Sequence, residues 1–191
     1  METKIKFLMI SRLLYDKGYS QFVDAAKEVK SKFPATTFQL LGDVDEDYPN
    51  HVTKAVLEKD ISDGAIEYLG YHSDVKPFIQ SADCIVLPSF YNEGLSRVLM
   101  EAMALKKPII TTNTPGCKEA VEEGVNGFLC EPKDTSSLIS NILRFINLSD
   151  ELKKQMGVAG RKRAEEIFNI KNVIDIYHSI TDKYELNKSY L

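Results

Sequence analysis

Short apolar runs rich in β-branched residues alternate along the chain with longer amphipathic stretches. The runs are Ile5 to Ile10, Thr37 to Leu41, Ile66 to Leu69, Cys84 to Leu87, Pro108 to Thr111 and Gly127 to Cys130. Between them, Tyr19 to Phe33, Val52 to Lys59, Val75 to Ser81 and Ser96 to Leu105 have the length and periodicity of crossover helices. That alternation predicts an α/β fold, a Rossmann-like parallel sheet of six strands with helices on both faces. Cys-Ile-Val-Leu-Pro and Pro-Ile-Ile-Thr-Thr carry too few polar positions to face water, so they belong at the sheet centre. Beyond residue 134 the pattern turns helical. Asp134 is placed to cap a helix over 135–145, Ser149 another over 150–168, and a last helix is expected over 172–184. No repeat, low-complexity tract or Gly/Ser linker divides the chain, so residues 1–186 read as one domain with a frayed tail at 187–191.

In an open parallel sheet, ligands gather outside the carboxyl ends of the strands, and the loops there concentrate the unusual residues. After the first run, Arg12 and Lys17 stand before Gly18 and a helix start, where free amides also favour anions. Charge-assisted contacts of about 1.5 to 3 kcal/mol each would let this pair hold a diphosphate. Gly42 follows the second run, at a point where backbone could approach a ligand. Tyr71 and His72 follow the third and could lie beside a base. The fourth loop runs through Glu93, Gly94, Leu95 and Ser96 into a helix containing Glu101. Leu95, Val98, Leu99, Ala102 and Met103 form the apolar stripe of that helix, which leaves Ser96 and Glu101 off the core face. The amides of Gly94, Leu95 and Ser96 are then placed to receive a phosphate or a sugar hydroxyl. Helical rise sets Glu93 and Glu101 about 10 Å apart, against about 5 Å for a retaining glycosidase pair, so they fit two ends of one long ligand.

Charge and composition narrow the classes further. A net charge of −4 offers no general attraction to nucleic acid or anionic lipid. Cys84, Cys117 and Cys130 have neither disulfide nor zinc spacing and read as buried thiols of a reducing compartment. The acidic stretch Asp43 to Asp47 fails the calcium-loop pattern, with Tyr48 and Lys54 where Gly and Glu are needed. No metal site is expected. G-x-G-x-x-G, the Walker loop and G-x-S-x-G are all absent. Without a signal-like segment or an apolar run of spanning length, a cytoplasmic location is expected.

With those residues in place, the chain resembles the carboxy-terminal domain of retaining glycosyltransferases of family 4, which have the two-domain GT-B fold. Arg12 to Gly18 is similar to the R-x4-K-G element, Leu87-Pro88-Ser89 with Glu93-Gly94 to the donor loop, and Glu93 with Glu101 to the E-x7-E motif. Glu101 to Ala104, Lys107 to Ile110, Pro115 to Glu119 and Gly124 to Phe128 extend the likeness along nearly the whole chain. The resemblance implies that Arg12 and Lys17 neutralise a diphosphate and that Glu101 holds the ribose. It implies that Glu93, as the catalytic residue, positions the donor sugar with the Gly94 to Ser96 backbone, and that Tyr71 and His72 sit near the base. It implies a UDP-linked galactose or N-acetylhexosamine as donor, no cofactor or metal, and a glycan or lipid-linked acceptor of surface-polysaccharide assembly. The family's amino-terminal, acceptor-binding domain has no counterpart here, so the chain is expected to bind nucleotide without transferring sugar efficiently. A non-catalytic binding domain on the same scaffold, and a sugar-nucleotide epimerase of GT-B type, are the alternatives.

Overall fold

The computed structural model describes the backbone of residues 4–91 and 94–188, and the side chains there except at 172–173 and 182–188. Six parallel strands form one sheet in the order β3-β2-β1-β4-β5-β6. They are β1 (Lys6–Ile10), β2 (Thr37–Leu41), β3 (Glu67–Tyr68), β4 (Cys84–Leu87), β5 (Ile109–Thr112) and β6 (Gly127–Cys130). Every residue of β4 and β5 is buried, as their unbroken apolar character requires. β3 is shorter than its apolar run because it lies at an edge and pairs through Gln39 with Glu67 and Leu40 with Tyr68 alone.

Helix α1 (Tyr19–Lys32) and helix α5 (Thr135–Ile146) pack together on one face, while α3 (Lys76–Ser81), α4 (Arg97–Ala104) and α6 (Asp150–Ile167) occupy the other. Aromatic rings join the first pair to the sheet. Phe7 stacks on Phe38 at 5.0 Å and meets Phe145 of α5 edge-on at 5.9 Å, and Phe22 of α1 reaches Phe38 at 5.6 Å. On the second face Ile79, Leu99, Ala102 and Met103 close the core. Helix α2 (Lys54–Ser62) is tied to α1 by a buried carboxylate: Asp60 accepts from the Tyr19 hydroxyl at 2.9 Å and from Lys27 Nζ at 2.8 Å. Burial, then the Asp60 contact, pushes the Tyr19 phenol far above its usual range.

Asp134 and Ser149 cap α5 and α6 as expected, accepting from Ser137 N and Leu152 N. Three helix starts differ from the sequence reading. Val52 lies in the preceding loop, where its amide donates to Leu13, and Thr53 caps α2. Val75 and Ser96 are the residues immediately before α3 and α4, outside the helices, and neither makes a side-chain cap. The last helix, α7, spans Ile170–Lys188, longer than predicted at both ends, and so includes residues 187 and 188 of the expected tail. Residues 189–191 lie outside the described part. On α7, Ile170, Ile174, Ile176, Tyr177 and Ile180 are exposed. All three cysteines are buried thiols outside any disulfide; desolvation pushes the Cys130 thiol up to about 12.

Candidate functional site

The strand order reverses direction between β1 and β4, because the chain winds outward to β3 on one side and to β6 on the other. The loops that leave these neighbouring strands therefore diverge and open a crevice at their carboxyl ends. Main-chain contacts hold the two loops together. The Asp16 carbonyl accepts from Phe90 N at 2.9 Å, from Tyr91 N at 3.0 Å and from Ser89 Oγ at 3.4 Å. Gly18 packs against the same segment with φ +83°, and a Cβ there would stand 2.2 Å from the Pro88 carbonyl oxygen.

Within the crevice lies a cavity of about 410 Å³ lined by Ile10, Ser11, Lys17, Leu87 and the segment Leu95 to Val98. Lys17 supplies a cation to its wall, and its Nζ sits 4.5 Å from the centre of the Tyr91 ring. The Ser11 hydroxyl is buried without a hydrogen-bond partner among the described residues. Opposite, the first turn of α4 faces the cavity. Ser96 makes no side-chain cap, and the amides of Arg97 and Val98 donate to nothing among the described residues. This end of α4 thus combines free donors with the positive end of the helix dipole. A cation and an open helix start on facing walls suit an anion with several oxygens.

Two sequence expectations for this turn are corrected. Ser96 is the residue before the helix, and the wheel periodicity does not reach it: it is 4% exposed, and its amide donates to the Gly116 carbonyl at 3.1 Å. Leu95, expected in the apolar stripe, is 40% exposed at the cavity wall. Gly94 is exposed, and a Cβ there would meet no described atom within 4 Å, so packing of the described residues does not demand a glycine. Gly42 differs. A Cβ at its φ of +153° would lie 1.8 Å from the Ser11 carbonyl oxygen, so the space is filled by the β1 loop. Glu93 lies outside the described residues.

Arg12 is not brought beside Lys17. Its guanidinium turns outward to Asp45 at 2.8 Å and lies 5.2 Å from the centre of the Tyr48 ring. The Tyr48 and Tyr91 rings meet edge-on at 6.4 Å, and a hydrogen bond between them holds the Tyr48 phenol above the usual tyrosine value. Asp45, Tyr48 and Tyr91 are the site neighbours that sequence reasoning missed; aromatic residues beside the acidic turn were the available signal.

Glu101, one turn along α4, borders a second cavity of about 290 Å³ with Ser73, Asp74, Val75, Lys76 and Ile79. Tyr71 and His72 precede that wall. Tyr71 is 68% exposed, and His72 Nε2 lies 3.0 Å from the Leu69 carbonyl with its ring against Phe78. A third hollow, about 380 Å³, lies at the amino ends of β1 and β2 beside Ile5, Thr36 and Ile146, away from these residues. Among the described residues no three His, Cys, Asp or Glu side chains converge as a metal site. No helix of the described residues is long and apolar enough to cross a membrane.

The family model described as glycosyl transferases group 1 matches residues 1–163. The chain belongs to that family. Over 167 residues, 87% of its length, this group 1 domain is 33% identical to a Campylobacter jejuni protein. That relative is named N,N'-diacetylbacillosaminyl-diphospho-undecaprenol alpha-1,3-N-acetylgalactosaminyltransferase. The fold matches Anabaena Alr3699/HepE solved with UDP and glucose, with TM-score 0.77, 25% identity and coverage of 95% of this chain and 48% of that one. It also matches the carboxy-terminal domain of a group 1 glycosyl transferase, LpcC, from Francisella tularensis, with TM-score 0.75, 23% identity and 89% of each chain covered. The architecture is that of the carboxy-terminal half of a GT-B glycosyltransferase. The chain spans 41% of the Campylobacter relative's own length.

Proposed function

We propose that this domain binds the donor of a glycosyltransferase, a UDP-linked hexose or N-acetylhexosamine, for transfer with retention to a growing surface polysaccharide or lipid-linked glycan. The observation that carries the reading is the 410 Å³ cavity at the carboxyl ends of β1 and β4, where Lys17 faces the uncapped start of α4. A diphosphate placed there meets a cation on one side and the Arg97 and Val98 amides on the other. These groups are fixed before the reaction, so they stabilise charge on the departing nucleoside diphosphate without reorganising, and no metal is required. Glu101 accepts from the ribose hydroxyls at the second cavity, with Tyr71 and His72 at the base. The Gly94 backbone, with no described atom where its side chain would be, approaches the donor sugar, and Glu93 is its catalytic partner. The Campylobacter relative's name and the UDP and glucose in the Anabaena structure support this donor class.

Acceptor binding belongs, on this reading, to the length of the relatives that the chain does not span, and the complete enzyme works in the cytoplasm at the membrane face. Calorimetric titration with UDP, GDP and ADP tests the donor assignment. Saturable UDP binding is expected, unchanged by EDTA; a folded sample that binds none of the three at millimolar concentration refutes it. Measurable sugar transfer by this chain alone, to a defined acceptor, would refute the division of labour.

A further inference from the structure

Arg12 lines neither of the two cavities at the crevice, although it stands at the end of β1 beside Ser11, which does. Its guanidinium is instead occupied by two groups of the loop that follows β2: the Asp45 carboxylate at 2.8 Å and the Tyr48 ring. The ends of that loop are fixed by main-chain bonds to the β1 loop. Leu13 N donates to the Asp43 carbonyl at 2.9 Å, Val52 N to Leu13 at 2.9 Å, and Tyr15 N to Asn50 at 3.0 Å. Asp45 is therefore held close to Arg12 whatever the side chains do. The Tyr48 ring continues the arrangement across the mouth of the site to Tyr91, whose face carries Lys17. Both cations of the expected phosphate pair thus rest on one aromatic bridge, with Lys17 on the cavity wall and Arg12 drawn aside.

Resting on the diphosphate reading above, we infer that Asp45 is a positioning residue: it stores Arg12 outside the cavity and is exchanged for a phosphate of the incoming nucleoside diphosphate. A carboxylate and a phosphate present the same geometry to the guanidinium fork, so the exchange needs only side-chain rotation. Arg12 is 48% and Asp45 31% exposed, so the pair is weak enough to be displaced by a doubly charged ligand. Asp45 then competes with the donor, and it holds nucleotide affinity below what Arg12 could supply.

The test is titration of the full chain with UDP and with uridine, for the unaltered protein, Asp45→Asn, Arg12→Ala and the double variant. Asp45→Asn is expected to bind UDP about three- to fivefold more tightly, the upper part of the range an exposed ion pair commands. Uridine affinity stays unchanged, the melting temperature falls by no more than about 4 °C through loss of the same ion pair, and the gain disappears in the Arg12→Ala background. A merely structural Asp45 would move uridine and UDP together. If the unaltered chain binds UDP and Asp45→Asn binds it equally or more weakly, or if the gain survives without Arg12, the storage role is overturned alone. If neither the unaltered chain nor Asp45→Asn binds UDP at millimolar concentration, the donor-site reading falls and takes the storage role with it.

Discussion

Replacement of Lys17 by Met isolates the charge on the cavity wall while keeping an unbranched stem of similar length. In the free domain the ammonium lies over the Tyr91 ring at 4.5 Å, so its loss removes a cation–π contact of about 0.5 to 1 kcal/mol. In the bound state the same group would make a charge-assisted contact to a phosphate, worth about 1.5 to 3 kcal/mol. Lys17 is half-buried on the wall of an open crevice, so screening places the loss in the lower part of that range, about 1.5 to 2 kcal/mol. The expected outcome is UDP binding weakened by about 10- to 30-fold, with uridine affinity changed less than about twofold. Calorimetry with both ligands at fixed ionic strength reads the difference directly, and the slope of log K against log salt for UDP should become shallower. Equal weakening of UDP and uridine would show that Lys17 acts through loop structure, and no weakening of UDP would place the phosphates elsewhere.

Glu101→Gln is expected to do the converse, weakening UDP and uridine alike by about 5- to 20-fold while leaving inorganic pyrophosphate binding unaffected, as competition titrations would show. Gly18→Ala forces a Cβ to within 2.2 Å of the Pro88 carbonyl oxygen at φ +83°; denaturant unfolding should lose about 2 to 4 kcal/mol, and a loss under 1 kcal/mol would contradict the packing described. For Cys130, burial raises the native thiol to about 12, above its value in the unfolded chain. Its contribution is complete below the unfolded thiol value of about 8.5 and is lost as pH climbs toward 12, at about 1.4 kcal/mol per pH unit. Urea unfolding of Cys130→Ala between pH 8 and 10 should therefore show a shallower decline than the unaltered chain, and parallel declines would contradict the buried thiol.

The central strands were legible in the sequence because β4 and β5 are buried on both faces, and an unbroken apolar run of strand length can be shielded from water in few other places. The caps Asp134 and Ser149 were legible because a capping side chain directly precedes a periodic run. Errors arose where one residue changes role at a boundary. Val52 is apolar but buried in a loop, and Ser96 with Leu95 precede α4, so helical periodicity assigned their faces wrongly. The family motifs singled out Lys17 and Glu101, each of which lines a cavity of the structure, and the strand order explains why the loops of β1 and β4 share one crevice. What no pattern disclosed was the orientation of Arg12. That depends on Asp45, 33 residues away, and on the path of the loop carrying it, a tertiary property with no local signature.

The carbonyl of Asp16 accepts three hydrogen bonds from the β4 loop, and two of the donors are themselves main-chain amides. Apart from Gly18, where a Cβ would meet the Pro88 carbonyl oxygen, a join made largely of backbone tolerates side-chain replacement, since every residue type carries the acceptor and nearly every one carries the donor. The side chains around it can therefore be exchanged without loosening the seam on which they are mounted. A scaffold of that kind permits divergence of substrate within a lineage at little cost in foldability, because the alignment of the two loops is inherited with the chain path.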